Sequence, residues 1–253
     1  MRALLGKMMV DFITGLQFLT RIHIITQSEC SLDSFGGSVK FFPVIGGIVG
    51  LFLVGVVEAA QSFWELRLPV HVIAIGVIVV EILLTGGLHC DGFMDTIDGI
   101  LSGRPRERML EIMKDSRVGA FGAMSFGLLV LLKYSLIIDI EPALLPVALL
   151  VMPITGRTGI VIAITLYPYA RASGLGKIFY RGAHRYTLCV AGMLALLLLV
   201  PLGKTAVISG VAGSAVAFAF SEVVNKRLSG LTGDVYGAVN EIAEIAALLV
   251  FIL

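Results

Sequence analysis

Long apolar runs broken by short polar stretches set the rhythm of the chain. Runs near 42–61, 70–88, 119–138, 144–166, 187–202, 205–224 and 235–253 each approach or reach twenty residues. About twenty residues at 1.5 Å per residue cross a hydrocarbon core roughly 30 Å thick. The pattern therefore predicts an all-α, polytopic integral membrane helix bundle of about seven transmembrane helices. Pro153 and Gly156 mark where the fourth run is most easily broken, and only Gly203 and Lys204 separate the fifth from the sixth. Trp64, in "QSFWELRLP", falls between the first two runs, where an interfacial aromatic belongs. Residues 1–22 read as an N-terminal amphipathic, interfacial helix with Phe12, Leu16 and Leu19 on one side. A secretory signal fits less well, since Asp11 interrupts the stretch and no small-residue cleavage site follows. No internal repeat or low-complexity linker interrupts 1–253, which reads as a single membrane-embedded catalytic domain.

Composition supports the membrane assignment: 57% of residues are hydrophobic and 15% charged, with a mean hydropathy of +0.97. The net charge of +1 is uninformative, but its placement is not. Arg2, Lys7, Arg21 and Lys40 precede the first run. Arg104, Arg106, Arg108, Lys114 and Arg117 fall in the 89–118 segment. Arg171, Lys177, Arg181 and Arg185 occupy 167–186, and Lys226 with Arg227 follow the sixth run. The alternate connections carry only Arg67 and Lys204. The positive-inside rule then places the rich loops, the N-terminus and the chemistry on the cytoplasmic side of the inner membrane, with the C-terminus outside. Cys30, Cys90 and Cys189 show no metal-ligand spacing and read as free thiols, Cys90 as a small buried residue.

Against this apolar background, "LHCDGFMDTIDGILSG" places Asp91, Asp95 and Asp98 at i, i+4 and i+7, on one face of a helix. Three carboxylates that close oppose one another's ionisation, a conflict that a divalent cation removes. Oxygen-only ligands suit Mg²⁺, which keeps waters and takes its remaining ligands from substrate phosphates. Gly92 and Gly99 beside the acids leave room for a bulky ligand, and His89 either contacts that ligand or caps the helix. A solvated acidic loop start is the competing reading, weakened because the acids follow directly on the apolar "VEILLTGG". Next, "RPRERMLEIMKDSR" predicts a helix with Pro105 in its first turn and Ser102 as cap. Its Arg104, Arg108, Lys114 and Arg117 form a cationic surface beside the acids, the pairing that diphosphate chemistry uses. An interfacial helix meeting anionic lipid is the bland alternative, particularly for Arg104 and Arg106.

Charged residues within the spans are functional candidates by default. Arg157, between Gly156 and Gly159, either binds phosphate or pairs with an acid. Asp234, Glu241 and Glu244 lie near one stripe of the last run and offer a second acidic wall, contacts to substrate hydroxyls, or partners for Arg157. Lys133 is expected to snorkel toward the outer face, and Glu81 is a weaker candidate. "SGLGK" at 173–177 lacks P-loop spacing and reads as a flexible cytoplasmic loop.

The stretch "LLTGGLHCDGFMDTIDGILSGRPRERMLEIMKDSRVGAFG" resembles the adenosylcobinamide-GDP ribazoletransferases, or cobalamin synthases. Their signature T-G-G-x-H-x-D-G-x-x-D-T-x-D-G stands at Thr85–Gly99, and R-M-L-E-I-M-[RK]-D-S-R-x-G at Arg108–Gly119. "DFITGLQFLTRIHI", "FFPVIGGIVG", "ARASGLGKIF" and "LTGDVYGAVNEIAEI" extend the resemblance across essentially the whole chain. It implies the final condensation of cobalamin biosynthesis, in which the hydroxymethyl oxygen of α-ribazole, or of its phosphate form, attacks the cobinamide-side phosphorus of adenosylcobinamide-GDP and GMP departs. Mg²⁺ is the implied cofactor, held by Asp91, Asp95 and Asp98, one of which takes the hydroxyl proton. Arg108, Lys114, Arg117 and Arg157 are the implied phosphate contacts, with His89, Asp115, Asp234, Glu241 and Glu244 completing the substrate-binding set. Membrane lipid surrounds the chain and nucleic acid has no part. A homo-oligomer or a complex with other cobalamin-pathway enzymes is left open.

Two alternatives compete. The CDP-alcohol phosphotransferases use related chemistry, but their D-G-x-x-A-R pattern fails here, because Asp95 and Thr96 stand where Ala and Arg are needed. A transporter with an intramembrane ion relay would place acids at the midplane of repeated halves, whereas here the polar content lies on one face. A binding-only scaffold gives no reason for three clustered acids.

Overall fold

The computed structural model describes residues 2–25, 32–62 and 68–253. Each apolar run folds as a helix: α1 (Arg2–Leu19), α2 (Leu32–Ser38), α3 (Phe42–Ser62), α4 (Val70–Thr85), α5 (Leu88–Leu101), α6 (Arg106–Ile112), α7 (Ala120–Asp139), α8 (Leu145–Leu166), α9 (Leu175–Gly182), α10 (Arg185–Leu199), α11 (Lys204–Leu228) and α12 (Gly233–Leu249). The described residues hold no strand, only an isolated bridge between Tyr169 and Leu231. Cys30, Trp64 and Arg67 lie outside the described residues.

The helical membrane bundle is as expected, but the count of seven spans is not reached by length and composition. Among the described residues four helical stretches are long and apolar enough to cross a membrane: Asp33–Gln61, Ala120–Asp139, Leu145–Leu166 and Lys204–Leu228. Two bent pairs, α4 with α5 at 90° and Leu175–Gly182 with Tyr186–Leu202 at 93°, bring the count to six if each is one span. The seventh run becomes α12, only 17 residues long and carrying three acids. It packs inside the bundle against α8, α5 and α11.

α8 is the axis. It runs unbroken through Pro153 and Gly156, and α3, α12 and α11 all pack on it. Small residues make these approaches possible, as expected where helices associate without a hydrophobic drive. A β-carbon on Gly50 would lie 2.8 Å from Leu150 Cα, and one on Gly46 would overlap the Pro153 carbonyl. The α4–α5 bend has an equally local cause. Gly86 and Gly87 have φ of +65° and +70°, a left-handed conformation that costs glycine little. Their amides donate to Leu83 (3.2 Å) and Ile82 (2.8 Å), closing α4 before α5 departs.

The 89–118 segment is helix rather than loop, folding as α5 and α6. Ser102 does not cap α6. Its hydroxyl donates to the Gly99 carbonyl at 2.6 Å and finishes α5. α1 is amphipathic as expected, with Leu16 and Leu19 buried and Phe12 set edge-on against Phe41.

Candidate active site

α5 and α12 cross so closely that two glycines serve as the contact. A β-carbon on Gly92 would sit 2.6 Å from the Asp234 carbonyl oxygen, and one on Gly237 3.0 Å from that of His89. The expectation that Gly92 and Gly99 leave space for a ligand is therefore corrected: α12 fills the first position, and Met113 the second. This crossing brings the start of α12 to the acidic face of α5. Asp95 lies within electrostatic reach of Asp91, Asp98 and Asp234.

Thr232 caps α12 by accepting from the Val235 amide at 3.3 Å. The strand-like bridge ties the preceding residues to the α8–α9 connection, with Ala170 donating to Leu231 and Leu231 to Pro168, both at 2.8 Å. That tie delivers Arg171 to Asp234, where the two pair at 2.8 Å. Burial raises the Asp234 carboxyl above its usual value, while the Arg171 guanidinium and the Thr232 hydroxyl pull it down. Tyr169 and Tyr236 stand nearby with ring centroids 6.5 Å apart.

Asp98 is put to a different use. Its carboxylate accepts from the amides of Gly119 (2.7 Å) and Gly122 (2.8 Å), capping α7. β-Carbons at either glycine would collide with that carboxylate. Each Asp98 oxygen thus carries one amide hydrogen bond, and the residue is buried, unlike Asp91 and Asp95.

The basic segment is mostly surface. Arg108 pairs with Glu111 at 2.6 Å, and Lys114 is exposed. Arg117 donates to Asp115 from Nε (3.0 Å) and Nη2 (2.7 Å), and these bonds hold the Asp115 carboxyl down at about 2. Arg106, expected at the interface, instead donates to the carbonyls of Leu228 (2.6 Å) and Ala170 (3.1 Å), fastening α6 to the end of α11.

Of the two readings of Arg157, the structure shows the pairing with an acid. Arg157 is fully buried and pairs with Glu244. Lys133 does not snorkel. It is buried and meets Glu81 at 3.0 Å, Glu241 at 3.0 Å and Glu244 at 2.7 Å. This cluster is the polar centre of the bundle and faces no solvent. His89 joins it, its Nδ1 lying 3.4 Å from Arg157 Nη2. A guanidinium only donates, so Nδ1 accepts and the ring hydrogen sits on Nε2. The stripe of Asp234, Glu241 and Glu244 is thus divided, its first member at the site and the other two in the core. Cys90 approaches Glu241 at 3.9 Å as a free thiol.

Two cavities flank Asp91. One is an open groove of about 780 Å³ bordered by α1 and the α4–α5 bend, with Gln17, Arg21, His23 and Gly87 in its wall. The other, of about 250 Å³, lies between α5, α9 and the start of α12. Phe18, Leu88, Asp91 and Leu175 line both. "SGLGK", expected to be a loose loop, begins α9, and its Gly174 and Gly176 wall the smaller cavity.

Among the described residues no group of three or more His, Cys, Asp or Glu side chains is placed to hold a metal ion by itself. Asp91 is exposed and Asp95 half-buried, and neither enters an ion pair among the described residues. Two free carboxylates without a cage suit Mg²⁺, an ion that keeps water and completes its shell with substrate phosphates.

Sequence reasoning passed over Arg21, Tyr169, Arg171 and Tyr236. Arg21 and Arg171 registered only as loop charges, although both lie inside motifs already singled out, "FLTRIHI" and "ARASGLGKIF". The Arg21 guanidinium lies over Gly86, where a β-carbon would overlap it, and its amide donates to the Leu84 carbonyl at 2.7 Å.

Residues 11–252 match the protein family described as cobalamin-5-phosphate synthase. An adenosylcobinamide-GDP ribazoletransferase of Desulfitobacterium hafniense is 38% identical over 241 residues, 93% of each chain. One from Desulforamulus reducens is 41% identical over 213 residues, 82% of each chain. One from Brevibacillus brevis is 36% identical over 245 residues, 95% of this chain and 97% of the other. No solved structure matches the chain. Because the likeness runs from α1 beyond α12 and takes in both sides of the α5–α12 crossing, the chain belongs to the cobalamin-5-phosphate synthase family.

Proposed function

We propose that the α5–α12 crossing is where a ribose hydroxyl of α-ribazole, or of its phosphate, displaces GMP from adenosylcobinamide-GDP. Family membership assigns the chain to this final condensation of cobalamin biosynthesis. Asp91 and Asp95 would hold Mg²⁺, one of them would take the proton of the attacking hydroxyl, and Arg171 and Arg21, which line the two cavities, would meet phosphate oxygens. Bound there, Mg²⁺ supplies charge neutralisation for the diphosphate and the departing GMP. Asp234 anchors Arg171 and adds a third acid beside the pair. Asp98 belongs to the scaffold, since its oxygens cap α7.

The observation that carries the reading is Asp91, which lines both cavities, with Asp95 in electrostatic reach of it and of the Asp234–Arg171 ion pair that borders the smaller cavity. Buried structural acids elsewhere in the chain are paired or capping. The basic loops support an inner-membrane protein whose active site faces the cytoplasm.

The test is direct. Purified chain in nanodiscs, given Mg²⁺, adenosylcobinamide-GDP and α-ribazole, is expected to release GMP. Asp91→Asn is expected to lose about 10²-fold or more in rate. A full rate in Asp91→Asn would refute the metal assignment, and silence of the wild type would refute the reaction.

A further inference from the structure

We infer that the two cavities divide the substrates: the 250 Å³ cavity takes the aromatic nucleoside acceptor, and the 780 Å³ groove the nucleotide diphosphate donor. The inference rests on the proposed reaction and adds which wall of Asp91 each reactant occupies.

Size separates the candidates first. Pockets for drug-sized ligands run about 300–1,000 Å³, and a corrinoid is far larger than such a ligand. The smaller cavity, at about 250 Å³, excludes the corrinoid and admits a single nucleoside. The groove is open to its surroundings along α1 and the α4–α5 bend, so a large substrate can insert only its diphosphate end and leave the macrocycle outside.

Lining chemistry agrees. The smaller cavity is walled by rings: Phe18 and Phe179 have centroids 4.6 Å apart, Phe42 stands 5.8 Å from Phe179, and Tyr169 faces Tyr236. Flat aromatic surfaces suit a benzimidazole base, which stacks or meets ring edges. At the same cavity Asp91, Asp234 and Arg171 supply the polar groups that a ribose needs. Three buried polar groups there have no partner in the protein, the Tyr236 hydroxyl, His89 Nε2 and Arg171 Nε. Tyr236 is only 5% exposed. Leaving such groups unpaired is costly, and a ligand hydroxyl or ring nitrogen would satisfy them.

The groove carries the complementary set. Arg21 and His23 line it with Gln17, and its aromatic content is limited to Phe18, Phe35 and Phe126. Asp91 belongs to both walls. In the displacement, the acceptor oxygen enters from the smaller cavity and forms the new O–P bond at the cobinamide-side phosphorus. The bond from that phosphorus to the bridging oxygen breaks, GMP keeps the bridging oxygen and its electron pair, and the hydroxyl proton passes to a carboxylate and then to solvent.

Gly233 provides the means of testing. It lines the smaller cavity, and a β-carbon there meets nothing within 4 Å, so a leucine can be added without a clash at its first atom. Gly233→Leu is expected to weaken α-ribazole binding at least tenfold, read by calorimetric titration of α-ribazole alone into protein in nanodiscs. Its KM for adenosylcobinamide-GDP should stay at the wild-type value. Tyr236→Phe, which removes only the unpaired hydroxyl, is expected to weaken α-ribazole several-fold with the same donor KM. Arg21→Ala should do the reverse, raising the donor KM and sparing α-ribazole. Unchanged α-ribazole binding in both Gly233→Leu and Tyr236→Phe, or a raised donor KM in Gly233→Leu, would overturn the division. If the wild type releases no GMP yet binds α-ribazole and Gly233→Leu abolishes that binding, the pocket stands and the reaction falls.

Discussion

Replacing Lys133 by methionine tests the polar centre of the bundle. The side chain is 5% exposed and its ammonium lies between 2.7 and 3.0 Å from carboxylates on three different residues, Glu81, Glu241 and Glu244. Methionine keeps the unbranched stem and removes the charge. Three carboxylates then share one neighbouring cation, Arg157, already committed to Glu244, and the neutral amide of Asn240. Removing one partner of a buried ion pair costs about 3–5 kcal/mol because the other charge is left uncompensated. For a domain of this size that range corresponds to a fall in Tm of about 6–20 °C. The assay is thermal unfolding in nanodiscs, followed by helical circular dichroism. A second substitution sharpens the result: Lys133→Met with Glu241→Gln removes one stranded charge, so the double variant should be more stable than the single by about 1 kcal/mol or more. A lysine snorkelling to the outer face, the reading from sequence, would tolerate methionine. Stability of Lys133→Met within about 0.5 kcal/mol of wild type, the range of ordinary surface substitutions, would refute the buried cluster.

The acids of α5 should separate in the same assays. Asp98→Ala strips the α7 cap and is expected to lose about 1–2 kcal/mol of stability, whereas Asp91→Ala should leave Tm unchanged and abolish GMP release. Gly92→Leu should fail in both respects, because its β-carbon meets the Asp234 carbonyl at 2.6 Å and pries α5 from α12; overpacking of this kind costs about 1–3 kcal/mol. Arg106→Lys should lower stability despite the retained charge, since one ammonium cannot reproduce the Nε and Nη2 bonds to two carbonyls. Removal of divalent ions with EDTA should stop turnover, with Mg²⁺ restoring it, and Asp95→Asn should raise the Mg²⁺ concentration needed for half-maximal rate.

Much of the fold is legible because apolar length and helix length are the same quantity in a bilayer, and the runs at 42–61, 119–138, 144–166 and 205–224 each became a helix with closely similar ends. The failures have two physical sources. The Gly86–Gly87 pair turns the chain by 90° through left-handed backbone, which an apolar count does not register. α12 is apolar enough to resemble a span, yet its Glu241 and Glu244 find partners in Lys133 and Arg157, which are far away in sequence. The pairing of Arg157 with an acid of this stripe is one reading of the sequence, but no local pattern shows Lys133 joining Glu81, Glu241 and Glu244 in the same cluster.

The site divides along the same line. The i, i+4, i+7 spacing correctly set the three aspartates on one face of a helix, but a face has neighbours, and these decide what each acid does. α7 begins beside Asp98 with two bare amides, and the carboxylate is consumed in capping them. α12 begins beside Asp91 and Asp95 with an acid of its own, Asp234, already paired with Arg171. The proposed reactive unit is Asp91 and Asp95, which enter no ion pair among the described residues, with the Asp234–Arg171 pair, drawn from α5, the α8–α9 connection and α12. The family signature around Asp98 then has a structural reason as well: Gly119, the last residue of its second half, must lack a side chain for Asp98 to reach the start of α7. The two halves of the signature, 85–99 and 108–119, are thus joined by a helix cap that fixes where α5, and with it Asp91, can sit.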